Sequence, residues 1–451
     1  MMELPGGPYR RQVVDVLRDL VRFDTTNPPG NETACARYLA DLLTPAGIEA
    51  RVIESAPGRG NLVARLRGTG EGKPIMLMGH LDVVAANPEE WLYPPFAAEL
   101  RDGYVWGRGA TDMKQMIAAC AVLMLALAKA RLPLKRDVLF VATADEEHGG
   151  RMGMGWLART MPEILEAECA INEGGGGALH VGGRQFYTCQ TAEKGICRAL
   201  VTARAEGRHA SQPRRDIATL KLARALCRLG DGYLTPNAIA TMRAALRTIA
   251  SVQSSYAAQR VDAILDQGRV DEALIVAGLD SEGVRRMRPL FYDTAAVTAL
   301  SAGNPESINV IPASALAYID GRLLPGQTRQ GYLDLLRSHL GNDVEVELFR
   351  DQYSPGLESS FDHPVFHVIS EVVAERCDGA ALIPWECAGS TDAKHLIPRG
   401  LPVFGFIPSR PLPPGMSEAG AHANNERIWT ENVPFALEML YDIVARFCTR
   451  G

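Results

Sequence analysis

Residues 144–150 read ADEEHGG and follow the apolar run DVLFVA, so two adjacent carboxylates, Glu146 and Glu147, emerge where a buried strand should end. A solvated turn explains such a pair when it stands alone. Here His80 and Asp82 follow the apolar PIMLMG, Asp112 follows the turn GRGAT just ahead of a helix, and Glu173 follows ECAIN. In an open α/β sheet, ligands bind beyond the carboxyl ends of the strands. Successive strands therefore deliver histidine and carboxylates to one edge, and it is this coincidence that points to a site. Imidazole and carboxylate donors without a thiolate suit Zn²⁺ in an open catalytic site, or Co²⁺ or Mn²⁺. Asp82, two residues beyond His80 on the same strand face, is placed to hold the second ring nitrogen. Asp112 has the short carboxylate that can bridge two cations. Two metals about 3.5–4 Å apart would clamp a shared water and lower its pKa.

The elements that must position these residues are legible in the pattern. Val13, Val16, Leu17, Leu20 and Val21 recur at helical spacing over residues 8–22, and TTNPPGNE ends that helix and starts the next, with Asn31 as a candidate cap. The second helix runs to about Leu43. NLVARLRG, PIMLMGH, DVLFVATA and ECAINEG read as strands, with a helix from about Met113 between two of them. Continuous apolar strands separated by helices predict a largely parallel α/β sheet covered on both faces. From residue 191 the pattern changes. Leaving out a mainly helical insertion at 231–293, the order is β-α-β-β-α-β, a small α+β unit of ferredoxin-like type. The α/β pattern resumes near 351 with a helix at 363–376, the strand LPVFGFIP and a final helix at 431–447. The expected domains are thus a catalytic domain in two parts, 1–190 and 351–451, with a smaller domain at 191–350 inserted between them.

Composition narrows the function classes. A chain of 451 residues exceeds one typical core. The net charge of −6 and the absence of a basic block argue against nucleic acid. The N-terminal MMELPGGPYRRQ lacks the apolar core of a signal peptide, and the run IAACAVLMLALA is too short to span a bilayer, so no membrane association is expected. Nine cysteines, an odd number without C-x-x-C spacing, fit a reduced, cytoplasmic chain. GTGEGK has Arg67 where a phosphate loop needs its first glycine and Pro74 where it needs Ser or Thr. GMG at 153–155 is an incomplete dinucleotide fingerprint. The run Gly174–Gly177 reads as a flexible connection rather than an anion nest.

With these residues in place, the sequence resembles the dinuclear zinc amidohydrolase and exopeptidase family, which includes glutamate carboxypeptidase, acetylornithine deacetylase, succinyl-diaminopimelate desuccinylase, aminoacylase and carboxypeptidase S. GHLDVV, GRGATDMK, DEEHGG, GSTDA at 389–393 and AHANNE, with its H-x-x-N-E pattern, match that family's motifs in order over most of the chain. Only about residues 231–293 fall outside. The resemblance implies a zinc-exopeptidase-type sheet with an inserted lid or dimerisation domain. It implies that His80, Asp112 and Glu173 hold one metal and Asp112, Glu147 and His422 the other, with Glu146 left as general base. His209 in GRHASQP resembles an oxyanion-stabilising histidine, Asn309 and Arg322 resemble residues that grip a substrate carboxylate, and Gly389 resembles a backbone substrate contact. Plainer readings exist for some: Arg322 pairing with Asp320, Asn309 as a turn former, His209 as a surface histidine. His148, His180 and His395 carry no assigned role.

The function so implied is hydrolysis of an amide next to a free carboxylate, by an N-acyl amino acid deacylase or a carboxypeptidase-like exopeptidase. The cofactor is two divalent metal ions per chain, Zn first, and the substrate a small molecule, an N-acyl amino acid or short peptide. A homodimer through the lid domain is compatible with the family. A dipeptidase or aminopeptidase of the same family is the nearer alternative. A catalytically silent binding relative is the more distant one, and it requires a lost ligand or base where all are present.

Overall fold

The computed structural model describes residues 2, 4, 8–212 and 214–450. Most of the first seven residues and Pro213 of the RHASQPRR loop fall outside that description, so the readings made on them stand on sequence alone. The chain forms two compact units: residues 1–191, 359–384 and 391–451 in one, and 192–358 with 385–390 in the other.

The first unit is built on a mixed sheet in the order Glu49–Glu54, Gly60–Leu66, Arg136–Thr143, Gly72–His80, Cys169–Asn172, Val403–Gly405, with Arg184–Glu193 joining through Gln190. Its centre is parallel: Gly72–His80 lies between Arg136–Thr143 and Cys169–Asn172, and Val403–Gly405 continues in the same sense. The flanks are antiparallel. The sequence predicts this mixed, largely parallel sheet with helices on both faces.

Side-chain alternation explains why the central strands are apolar throughout. Ile75 and Leu77 face the core made with the helices Tyr9–Arg22, Lys114–Ala130 and Asn432–Thr449, where Leu17, Ile117 and Leu440 are fully buried. Met76 and Met78 face the opposite core with Met154, Leu157 and Leu396. Each such side chain contributes roughly 1.5–3 kcal/mol by leaving water, and a strand with both faces covered has no position for a polar residue until it ends. The chemistry accordingly begins at the strand ends: His80 is the last residue of its strand, Glu146 follows Thr143 after two residues, and Glu173 follows Asn172 directly. A smaller sheet of Glu99–Arg101, Tyr104–Trp106 and Arg427–Trp429 pairs Arg427 with Trp106, which brings the loop carrying Asp112 to the segment carrying His422.

Three local readings change. Asn31 does not cap the second helix, Thr33–Leu43; Glu32 precedes it and is engaged by Arg59. The polyglycine run is closely packed rather than a flexible connection. A Cβ on Gly175 would lie 2.3 Å from the Gly405 carbonyl oxygen and one on Gly176 2.1 Å from that of Ile407, so only glycine lets these backbones meet. The strand of LPVFGFIP is confined to Val403–Gly405.

The second unit holds an antiparallel sheet in the order Tyr233–Pro236, Tyr292–Ala302, Ser314–Leu323, Gly195–Arg204, Glu345–Ser354. The helices Ala218–Cys227 and Arg329–Leu340 pack Leu222, Leu333 and Leu336 against Val201, Ala317 and Ile319. Ser314–Leu323 alternates buried and partly exposed residues, as a sheet with one packed face requires. Without Tyr233–Pro236, the helices between 240 and 287 and the two-residue strands Arg208–His209 and Val310–Ile311, the chain order is β-α-β-β-α-β.

Candidate metal centre

The ends of the parallel strands bring His80, Glu147 and Glu173, and the smaller sheet brings Asp112 and His422, to one place in the first unit. His80 Nε2 lies 3.1 Å from Asp112 Oδ1 and 3.8 Å from Glu173 Oε1. His422 Nε2 lies 3.3 Å from Asp112 Oδ2 and 3.1 Å from Glu147 Oε2. Asp112 thus turns one oxygen to each histidine, as a bridging carboxylate must. The ligand atoms of His80, Asp112 and Glu173 lie within 4.8 Å of one another, and so do those of Asp112, Glu147 and His422.

The electrostatics point to cations. Burial alone would depress the His80 pKa, but Glu173 and Asp112 outweigh it and hold the ring well above its usual value. The Asp112 hydrogen bond, with Glu147 beside it, lifts His422 to about 9. Burial raises the carboxyl of Glu173 and pushes Glu147 up to about 7. Burial opposes ionisation of Asp112 too, yet the two histidines hold its carboxyl below the normal range. These shifts describe crowded, desolvated carboxylates that favour positive charge beside them. Three donors per group, all oxygen or imidazole nitrogen, fit a divalent metal with coordination positions left open.

Glu146 is set apart from this group. Its carboxylate faces Lys394 Nζ at 3.3 Å, while the neighbouring Glu147 faces His422. Burial holds Glu146 well above the carboxylate range, and Lys394 pulls the other way. The turn that separates the two side chains is fixed through its backbone. Asp82 Oδ1 accepts from Glu146 N at 3.0 Å, and Oδ2 accepts from Glu147 N at 3.1 Å and from Asn27 Nδ2 at 2.8 Å. Asp82 does hold His80, but through its main-chain carbonyl, 2.9 Å from Nδ1; its carboxylate stands off at 3.6 Å. The reason is geometric: the carboxylate points at three other donors, two of the turn and one of Asn27, and satisfies them.

Beneath that turn, Asp145 adopts φ 72° and takes hydrogen bonds from Asn27, Arg59 and Met152 N, while Arg59 forks onto buried Glu32. Gly150 has φ 68°, and a Cβ there would lie 2.1 Å from Asp392 Oδ1. Sequence reasoning missed Lys394, Asn27 and Arg59. Lys394 directly follows GSTDA and Asn27 sits in TTNPPG, so the available signal was proximity to motifs rather than residue type.

His209, Asn309, Arg322 and Gly389 all belong to the second unit. His209 is exposed on the short strand Arg208–His209, paired with Val310–Ile311, and Ala210 N donates to Asn309 O at 2.8 Å. Ser211 N donates to His209 Nδ1 at 3.2 Å, with Ser211 Oγ 2.8 Å away, so the proton of the neutral ring sits on Nε2. Arg322 makes the plainer contact, Nε to Asp320 Oδ1 at 2.6 Å. Gly389 N lies 3.3 Å from Cys387 Sγ.

Comparison with known proteins places this geometry in context. A family model described as peptidase family M20/M25/M40 matches residues 76–446. The N-fatty-acyl-amino acid synthase/hydrolase of Xenopus tropicalis is 24% identical over 455 residues, which cover 96% of this chain and 86% of that protein. Among solved structures, an M20 family metallo-carboxypeptidase from Sulfolobus solfataricus matches with a TM-score of 0.69 at 19% identity, covering 96% of this chain and 98% of its own. A dinuclear metal binding peptidase of the M20 family from Bacillus subtilis matches with a TM-score of 0.64 at 14% identity, over 98% of both chains. At those identities the structural likeness concerns the fold.

Proposed function

The chain belongs to peptidase family M20/M25/M40, a family of metal-dependent hydrolases acting on amide and peptide bonds, and from that premise we infer that it cleaves an amide adjacent to a free carboxylate. The substrate would be an N-acyl amino acid or a short peptide with a free C-terminus. The Xenopus tropicalis relative is a synthase/hydrolase of N-fatty-acyl amino acids, and an amino acid acylated on its nitrogen keeps its carboxylate. The observation that carries the reading is the divergence of adjacent glutamates, Glu147 toward His422 and Glu146 toward Lys394.

His80, Asp112 and Glu173 would hold one divalent ion and Asp112, Glu147 and His422 a second, Zn²⁺ being the best match to the donor set. Bound there, such ions lower the pKa of water and polarise a carbonyl. Glu146, free of both groups, takes a proton at its carboxylate and returns it to the leaving amine nitrogen. Its raised pKa favours holding the proton between the two transfers. His209 would donate from Nε2 to the developing oxyanion, consistent with the proton placed there by Ser211. Arg322 and Asn309 would grip the carboxylate, Arg322 through the guanidinium edge not engaged by Asp320, and Gly389 would offer a backbone contact.

The second unit would serve as lid and dimerisation domain. Tyr292–Ala302 pairs along one side with Ser314–Leu323; on its other side, among the described residues, Tyr233–Pro236 and the Gly232 carbonyl cover Tyr292, Thr294 and Ala295, while Leu300 further along is 65% exposed. An open apolar strand edge of this kind suits pairing with a second copy. No helix among the described residues is long and apolar enough to cross a membrane, and the nine cysteines are unpaired, which fits a reducing, cytoplasmic setting.

The test is a substrate panel on the metal-loaded chain: N-acetyl, N-succinyl and long-chain N-acyl amino acids, dipeptides, and the same compounds with the carboxylate amidated. The reading expects turnover of free acids and little of amides, with Arg322→Ala raising KM for the acids alone. Equal turnover of acids and amides overturns the carboxylate requirement. Preference for dipeptides with a free amine would favour the dipeptidase alternative.

A further inference from the structure

The loop that presents Asp112 is folded around one buried carboxylate that the proposed reaction does not use. Glu426 is 0% exposed. Its Oε1 accepts from Thr111 N at 2.7 Å, Thr111 Oγ1 at 2.8 Å and Asp112 N at 3.2 Å. Its Oε2 accepts from Arg108 Nη1 at 2.7 Å and Gly109 N at 3.1 Å. The main-chain carbonyl of Glu426 also accepts from Gly107 N at 3.0 Å. The loop follows a tight path: Gly109 has φ 87°, and a Cβ on it would lie 2.8 Å from Val83 Cγ1.

Glu426 lies four residues beyond His422 in the same segment, and Arg108 reaches back to the Ala423 carbonyl at 3.3 Å. One carboxylate therefore ties the backbone that carries the shared Asp112 to the backbone that carries His422, whose side chains lie 3.3 Å apart. A simple ion pair with Arg108 would account for one of the two bonds at Oε2. It would not account for Oε1, whose three donors come from Asp112 and the residue before it. Hydrogen bonds to a carboxylate are stronger than neutral ones, and buried N–H groups left without an acceptor are costly.

We propose that Glu426 is the positioning residue of the metal centre: it fixes the placement of Asp112 relative to His422 and thereby sets metal affinity at both groups, because Asp112 belongs to both. This rests on the metal reading given above. Glu426 touches neither substrate nor metal and acts through the loop.

The experiment is Co²⁺ titration of the metal-free chain by calorimetry, with the visible spectrum of bound Co²⁺ and far-ultraviolet circular dichroism recorded on the same samples. In Glu426→Gln, the amide group opposes either the three donors at one oxygen or the two at the other. The expected result is a native dichroism spectrum, Co²⁺ affinity lowered roughly 10–100-fold as for other partners that orient ligands, and a changed Co²⁺ spectrum. Thr111→Val removes one donor and keeps the side-chain shape; it should lower affinity several-fold. Asp442→Asn, which disturbs the buried cluster of Asp442 with Arg376 and Arg446, should leave Co²⁺ affinity unchanged. Wild-type affinity and spectrum in folded Glu426→Gln overturn the proposal. If that variant does not fold, Thr111→Val decides alone, and unchanged affinity there overturns it. Failure of the wild-type chain itself to bind Co²⁺ would refute the metal reading, and the positioning role with it.

Discussion

Replacing Asp82 by asparagine separates two accounts of that residue. In one, the carboxylate orients the His80 ring; in the structure, the Asp82 carbonyl does so, and the carboxylate clamps the backbone of Glu146 and Glu147. An asparagine can present its oxygen to only one side. With oxygen toward Glu146 N, its amide opposes Asn27 Nδ2 and Glu147 N. Asn27 cannot flip to help there without losing its bond to Asp145, and an asparagine turned round opposes Glu146 N instead. At least one buried N–H is left unsatisfied in either case, and the remaining bonds lose their charge. The cost is about 2–4 kcal/mol, taking about 1–3 kcal/mol for the unpaired group and the rest for the weakened bonds. That energy is lost locally, so hydrogen exchange at the amides of residues 146 and 147 is the assay. A loss of about 2 kcal/mol corresponds to roughly thirtyfold faster exchange. Turnover should fall with it, while His80, still held through the Asp82 carbonyl, keeps its metal. Loss of metal from Asp82→Asn with unchanged exchange at 146 and 147 would refute the clamp and restore the carboxylate–imidazole account.

Metal affinity should rise with pH. His422 is lifted to about 9 and Glu147 to about 7 in the metal-free chain, and both must be unprotonated to bind a cation. Between pH 7 and 9 binding displaces the His422 proton, and the raised His80 ring gives up its proton as well, so affinity should rise at least about tenfold per unit and steepen below 7; Co²⁺ titrations at pH 6, 7, 8 and 9 check this, and a flat profile contradicts it. Lys394→Met should raise the Glu146 pKa further by removing the cation that lowers it. The acid limb of the kcat/KM profile should then move to higher pH, and an unmoved limb would show that Lys394 does not act on Glu146.

The sequence made legible whatever depends on periodicity and on strand ends. The apolar runs ending at His80 and Thr143 have both faces buried, so the polar residues just beyond them could be read as lying along one edge. Features decided by three-dimensional approach were not legible. Nothing in GHLDVV says whether Asp82 reaches His80 by its carbonyl or its carboxylate, because both lie within a few ångströms of the ring. Glu426 was visible only as the last letter of a motif; its role appears when the pairing of Arg427 with Trp106 wraps residues 107–112 around it. Short strands such as Glu99–Arg101 and Tyr104–Trp106 span too few residues to show alternation. Gly174–Gly177 has the composition of a flexible connection, yet Gly175 and Gly176 are glycine because Gly405 and Ile407 approach them.

The central claim is that adjacent glutamates divide the work, and metal content measured beside turnover in Glu146→Ala and Glu147→Ala tests it most directly. The account predicts that Glu146→Ala retains about two divalent ions per chain, one for each ligand group, while turnover falls about 10²–10⁴-fold. Glu147→Ala should lose metal along with activity. Loss of both metals from Glu146→Ala, or full metal content in Glu147→Ala, would contradict the division.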